Sequence, residues 1–117
     1  MQAFYNHAGE LIAYQYQNML IHPDSFQVLG IVLGNCVFGN QAKMLGKLFQ
    51  QKVYSLNGEV LASKSDASLP EPATLDAKGC LRQAWQILVK IKDHVCPWVN
   101  TRDAWSRASL AESLYLS

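Results

Sequence analysis

From Phe4 to Ala62 the hydrophobic and polar positions repeat one short phrase four times: a hydrophobic pair, a turn, then polar–apolar–apolar–small. The copies are Phe4-Tyr5…Gly9-Glu10-Leu11-Ile12-Ala13, Leu20-Ile21…Phe26-Gln27-Val28-Leu29-Gly30, Val37-Phe38…Ala42-Lys43-Met44-Leu45-Gly46 and Val53-Tyr54…Gly58-Glu59-Val60-Leu61-Ala62. The anchors Tyr5, Ile21, Phe38 and Tyr54 stand 16, 17 and 16 residues apart, a fixed period that marks a repeat architecture. Each copy predicts a β-hairpin. Its anchor pair is β-branched, aliphatic or aromatic, and its turn is Asn6-His7-Ala8-Gly9, His22-Pro23-Asp24-Ser25, Gly39-Asn40-Gln41-Ala42 or Ser55-Leu56-Asn57-Gly58. Asn-Gly is the strongest of these signals, because both residues tolerate positive φ. The second turn is one residue longer, which accounts for the single 17-residue step. After each turn the polar residue (Glu10, Gln27, Lys43, Glu59) is expected to face water and the apolar pair to enter the core.

The small residue that ends each phrase, Ala13, Gly30, Gly46 or Ala62, predicts a place where strands crowd and no larger side chain fits. Four such points suggest four hairpins closed around a pseudo-fourfold axis, sharing a core that an isolated hairpin lacks. The plainer alternative is a run of antiparallel strands whose glycines mark bends. These phrases resemble the four-fold β-flower domain, in which four hairpins with Tyr-x-x-x-Gly-x-x-(Leu/Val)-Ala phrasing radiate from a central axis. The resemblance covers about residues 3–64. The first and fourth copies fit well, and the second and third depart from the pattern because Ser25 and Ala42 replace the turn glycine. It implies a fold and carries no activity or catalytic residue with it.

The pattern changes after residue 65. The stretch from Ser63 to Thr74 holds Ser, Pro and Ala without periodicity, and residues 66–75 read as a linker between a four-hairpin region (1–65) and a helical region (76–117) packed on the hairpins. Asp76 is a candidate N-cap, and Leu81, Ala84, Trp85, Leu88, Ile91 and Val95 fall on one helical face up to Pro97, which ends the helix. Asn100 or Thr101 is placed to cap a second helix with Trp105, Ala108, Ala111 or Leu110, and Leu114 as its apolar face. The fold class is thus α+β: four hairpins in a closed arrangement, then two C-terminal helices that seal its open end or pack on a neighbouring chain.

Charge narrows the function classes. Ten basic and nine acidic residues give a net charge of +1, and both signs are spread over both halves. With no basic face, the main source of nucleic-acid affinity is missing. The longest apolar run, Val28 to Gly34, is too short to span a bilayer, and no basic segment leads into an apolar one at the N-terminus. A soluble, cytoplasmic protein with no membrane or nucleic-acid partner is expected. Cys36, Cys80 and Cys96 are odd in number and widely spaced, which suits a reducing compartment better than a disulfide scaffold.

Candidate chemistry is sparse. His7 and His22 occupy matching turn positions and could face one another for metal or proton chemistry, but two solvent-exposed turn histidines are the better reading. Cys80, His94 and Cys96 lack zinc-knuckle spacing, so no metal and no cofactor is expected. Glu10 and Glu59 occupy equivalent repeat positions that should face water. Trp85 and Trp105 read first as helix anchors, and Trp98, beside Pro97 in the interhelical turn, reads as a contact residue. The contact-surface candidates are therefore Trp98, Trp105, His7 and His22. With no nucleophile elbow, phosphate loop or metalloprotease motif, the sequence points to a non-enzymatic interaction or assembly module with a protein partner or as a homo-oligomer. The alternative is a ligand binder or enzyme with a pocket at the pseudo-axis or at the seam between hairpins and helices.

Overall fold

The computed structural model describes residues 1–91 and 99–116. Eight strands run antiparallel in chain order around a closed barrel: β1 (Gln2–Tyr5), β2 (Leu11–Tyr16), β3 (Met19–Ile21), β4 (Val28–Leu33), β5 (Cys36–Gly39), β6 (Met44–Phe49), β7 (Lys52–Ser55) and β8 (Val60–Lys64). Pairing of β1 with β8 closes the ring and leaves no unpaired sheet edge. Among the described residues two helices follow, α1 (Ala77–Leu88) and α2 (Leu110–Leu116). The expected closed sheet with two C-terminal helices is therefore present.

At one end of the barrel the four loops share a backbone pattern. The Asn6 N–H donates to the Glu10 carbonyl at 3.0 Å and the Gly9 N–H to that of Asn6 at 3.0 Å. The same two bonds link His22 with Gln27 and Phe26, Gly39 with Lys43 and Ala42, and Ser55 with Glu59 and Gly58. Gly9, Phe26, Ala42 and Gly58 all take positive φ, of 80°, 59°, 64° and 88°. Phe26, and not Ser25, thus stands where the other turns place a glycine or Ala42. The loops at the opposite end are two-residue turns, Gln17-Asn18, Gly34-Asn35 and Gln50-Gln51, between the pairs Tyr16–Met19, Leu33–Cys36 and Phe49–Lys52.

In each hairpin the pairing slips by one residue. Phe4 lies opposite Ala13 and Tyr5 opposite Leu11, so Ile12 is left over, and the same slip leaves out Leu29, Leu45 and Leu61. A bulge of this kind re-aims a side chain. Ile12, Leu29, Leu45 and Leu61 join Phe4, Leu20, Val37 and Val53 in a cluster fed by every strand, which places it in the lumen. The apolar pairs therefore do not enter the lumen together, although both members of the fourth, Val60 and Leu61, are buried. The second member turns inward, while Val28 and Met44 pack on the outside beneath α1 and Leu11 is exposed.

Of the four small residues, the two glycines are crowded by the neighbouring strand's backbone, and Ala13 and Ala62 are fully buried. A Cβ on Gly46 would overlap the Tyr54 carbonyl, and one on Gly30 would overlap the Phe38 carbonyl and press on the Leu114 side chain. Opposite the lumen residues Leu20, Val37, Val53 and Phe4 stand Gln15, Val32, Leu48 and Lys64. Directly opposed residues share a sheet face, so two polar side chains share this layer with two apolar ones.

The helices do different work. Leu110 and Leu114 of α2 are fully buried in the lumen cluster, and the Asn40 N–H donates to the Leu114 carbonyl at 2.9 Å, so α2 plugs the barrel end that carries the longer loops. The first helix packs on the outer wall, with Cys80 and Ile87 against Val28, Ile31 and Phe38. The Asp76 carboxylate accepts the Gly79 N–H at 3.0 Å as its N-cap. Sealing by both helices is corrected to sealing by α2 alone. The helix bounds also differ from expectation. Among the described residues α1 ends at Leu88 with Val89 as C-cap, and Val95 and Pro97 lie outside them. The second helix begins at Leu110, because the chain before it is extended and spends its backbone groups on hairpin four: the Val60 N–H donates to Ala104, and the Arg102 and Ser106 N–H groups donate to Gly58 and Val60, at 2.8–2.9 Å.

Candidate functional site

Two surfaces stand out: a cleft where the chain entering α2 crosses the first hairpin turn, and the outer face of α1. The extended backbone before α2 lays Trp105 beside Val60 and against the turn that carries His7. The imidazole and indole stack with centroids 4.8 Å apart and planes 6° from parallel. Around the stack, Asn6, Ala8, Leu61, Ser106, Arg107, Ala108 and Ser109 complete a cleft of about 250 Å³. The Ser106 and Ser109 hydroxyl oxygens accept the Ala108 N–H at 3.1 Å and the Glu112 N–H at 3.3 Å, and each keeps its proton to donate. Together with the Arg107 guanidinium, the cleft offers donors around an aromatic wall, which suits a small anion with a flat or apolar body.

The structure thus joins two of the four contact candidates, His7 and Trp105, and separates the third. The His22 Nδ1 accepts the Asp24 and Ser25 N–H groups at 3.1 and 3.3 Å, so this ring braces its own turn and does not face His7. Trp98 lies outside the described residues, as do His94 and Cys96. Trp105 is not a helix anchor; it sits in the extended segment ahead of α2. Glu10 and Glu59 each accept a hydrogen bond from an asparagine of their own turn, Asn6 at 3.2 Å and Asn57 at 2.9 Å.

Among the described residues no three His, Cys, Asp or Glu side chains converge on a metal position. Cys36 is fully buried, as a core residue should be, and is held in a disulfide. That bond runs against the expectation of three reduced thiols, which holds among the described residues for Cys80. The Cys80 thiol lies 3.5 Å from the Phe26 carbonyl, and burial, then the nearby Asp76 charge, push its pKa up. It stays protonated and unreactive.

The outer face of α1 is the surface that sequence reasoning misplaced. Leu81 and Trp85 were expected to pack inward, yet they are 51% and 63% exposed, and Val89 one turn further on is 56% exposed. The packed stripe is instead Cys80, Ala84, Ile87, Leu88 and Ile91. With that row packed on the barrel, the Val28 N–H donates to Gln83 Oε1 at 2.9 Å and ties the helix to the wall. Beside Trp85 the helix and barrel enclose a groove of about 130 Å³ lined by Asn18, Ile31, Leu33, Leu81, Ala84 and Leu88. The i, i+4 spacing of Leu81, Trp85 and Val89 was legible in the sequence; its outward direction was not.

No helix among the described residues is long and apolar enough to cross a membrane. Neither a family model, nor a curated protein, nor a solved structure matches the chain.

Proposed function

We propose that this chain is a non-enzymatic interaction or assembly module, in which the barrel serves as a rigid mount for the outer face of α1. The observation that carries the reading is the row Leu81–Trp85–Val89, three large apolar side chains left in water on consecutive turns of one helix. A contiguous apolar patch of this kind marks a contact surface, and an exposed tryptophan beside a groove is a typical interface anchor. The barrel is read as a pseudo-fourfold member of the β-flower type. The recurrent bulges at Ile12, Leu29, Leu45 and Leu61 and the four like turns support that reading.

A photo-crosslinking side chain at position 85, introduced into the full-length protein in its native extract, tests the contact. It should form a defined protein adduct that the same group at the exposed position 115 does not form. Light scattering on the purified protein then shows whether the partner is a second copy. A monomer that gives no adduct at position 85 and carries a stoichiometric small molecule in native mass spectrometry would overturn the reading. The His7–Trp105 stack beside Arg107 favours a second reading, a binder of small anions. Loss of such a small molecule on His7→Ala or Arg107→Ala would establish it.

A further inference from the structure

The α1 face carries more than apolar surface. Lys78, Arg82, Gln86 and Lys90 are all exposed and follow one another at four-residue steps, so they form a second row one position round from Leu81, Trp85 and Val89. From Ala77 to Ile91 the sequence holds no acidic residue. The carboxylate at the helix start, Asp76, is committed to the Gly79 N–H. An apolar row that ends at the C-cap Val89 and a row of three cations and one glutamine, the last cation just past the helix end, therefore lie side by side for about 18 Å, the length of twelve helical residues. Resting on the reading of this face as a docking surface, we infer that its occupant is an acidic amphipathic segment of a partner protein, seated with an apolar side chain in the groove beside Trp85 and carboxylates against Lys78, Arg82 and Lys90.

Charge decides against one competing occupant and shape against the other. Stacking α1 on α1 of a second copy would bring two basic rows together with no carboxylate between them, and like-charge juxtaposition suppresses such pairing. An anionic membrane surface would satisfy the charges, as basic amphipathic helices often do. The apolar surface here is concave, however: the groove between Trp85, Leu81 and the barrel residues Ile31 and Leu33 admits a single protruding side chain. A helix laid into a groove by apolar anchors at one-turn spacing has the matching geometry.

Fluorescence anisotropy with full-length protein tests this, using two labelled amphipathic peptides of about 15 residues, the length of a segment matching α1. Their apolar positions are identical, and their polar positions are glutamate in one and lysine in the other. The glutamate peptide should bind at least about tenfold more tightly than the lysine peptide, and its affinity should fall with added salt. Trp85→Ala should weaken it about tenfold or more, with an unchanged circular dichroism spectrum and melting temperature. The triple variant Lys78→Glu/Arg82→Glu/Lys90→Glu should reverse the preference. Equal binding of both peptides, binding of neither, or binding to phosphatidylserine vesicles but not to the glutamate peptide would each overturn the inference. A concentration-dependent dimer that Trp85→Ala abolishes would overturn the acidic partner while leaving the docking face standing. Indifference of every probe to Trp85→Ala would remove both.

Discussion

Gln15 and Lys64 show how one residue departs from its neighbours' pattern at a cost. They share a lumen layer with Val32 and Leu48, at the end of the barrel away from α2. The Gln15 Nε2 donates to the Gln17 carbonyl at 3.1 Å, while its Oε1 is buried with no hydrogen-bond partner. A buried acceptor left unpaired costs about 1–3 kcal/mol, so Gln15→Leu should raise the thermal midpoint by several degrees. A lowered midpoint would mean that the amide is satisfied by water. Burial lowers the pKa of Lys64 from its ordinary 10.5. In the window just below 10.5 the unfolded chain holds a proton that the native chain has lost, so the stability of the wild type should rise with pH there. Denaturant titrations at stepped pH should show that rise in the wild type and its absence in Lys64→Met.

At the scale of elements, the hairpin phrase and the two helices are held by different contacts and should fail differently. A valine at Gly46 would drive its Cβ into the Tyr54 carbonyl, a backbone atom that cannot rotate away. Overpacking commonly costs about 1–3 kcal/mol, and backbone overlap puts Gly46→Val at the upper end of that range. An unchanged melting temperature would show that β6 and β7 can part there without penalty. Leu114 of α2 is a lumen residue with no exposure, so Leu114→Ala should cost about 2–5 kcal/mol as a core truncation. Trp85→Ala, far larger in side-chain volume, should cost less than about 0.5 kcal/mol because its ring lies mostly in solvent. Chemical denaturation of the two variants in parallel checks the contrast, and equal losses would place Trp85 in the packed interior.

At the scale of the molecule, the barrel is finished from outside its own sequence: α2 supplies Leu110 and Leu114 to the lumen, and α1 covers Val28, Ile31 and Phe38. Residues 1–65 alone should therefore give an expanded, dye-binding species in place of a cooperative monomer. A sharp thermal transition of that fragment would reduce both helices to appendages. The sequence by itself determined the order of hairpins, the turn positions, the crowding at Gly30 and Gly46, the Asp76 cap and the inward Leu114, while it offered Leu110 only as an alternative to Ala111, because each follows from local backbone preference or short-range periodicity. It left open which member of each apolar pair turns inward, since that depends on a bulge set by pairing with the neighbouring strand. It placed the start of the second helix too early, because Arg102, Ala104 and Ser106 spend backbone groups on hairpin four, a contact across more than forty residues of chain. The direction of Leu81, Trp85 and Val89 was likewise decided only in the tertiary structure. Two apolar rows on one helix are equivalent until a barrel wall accepts one of them, and the wall chose the row of Cys80 and Ile87.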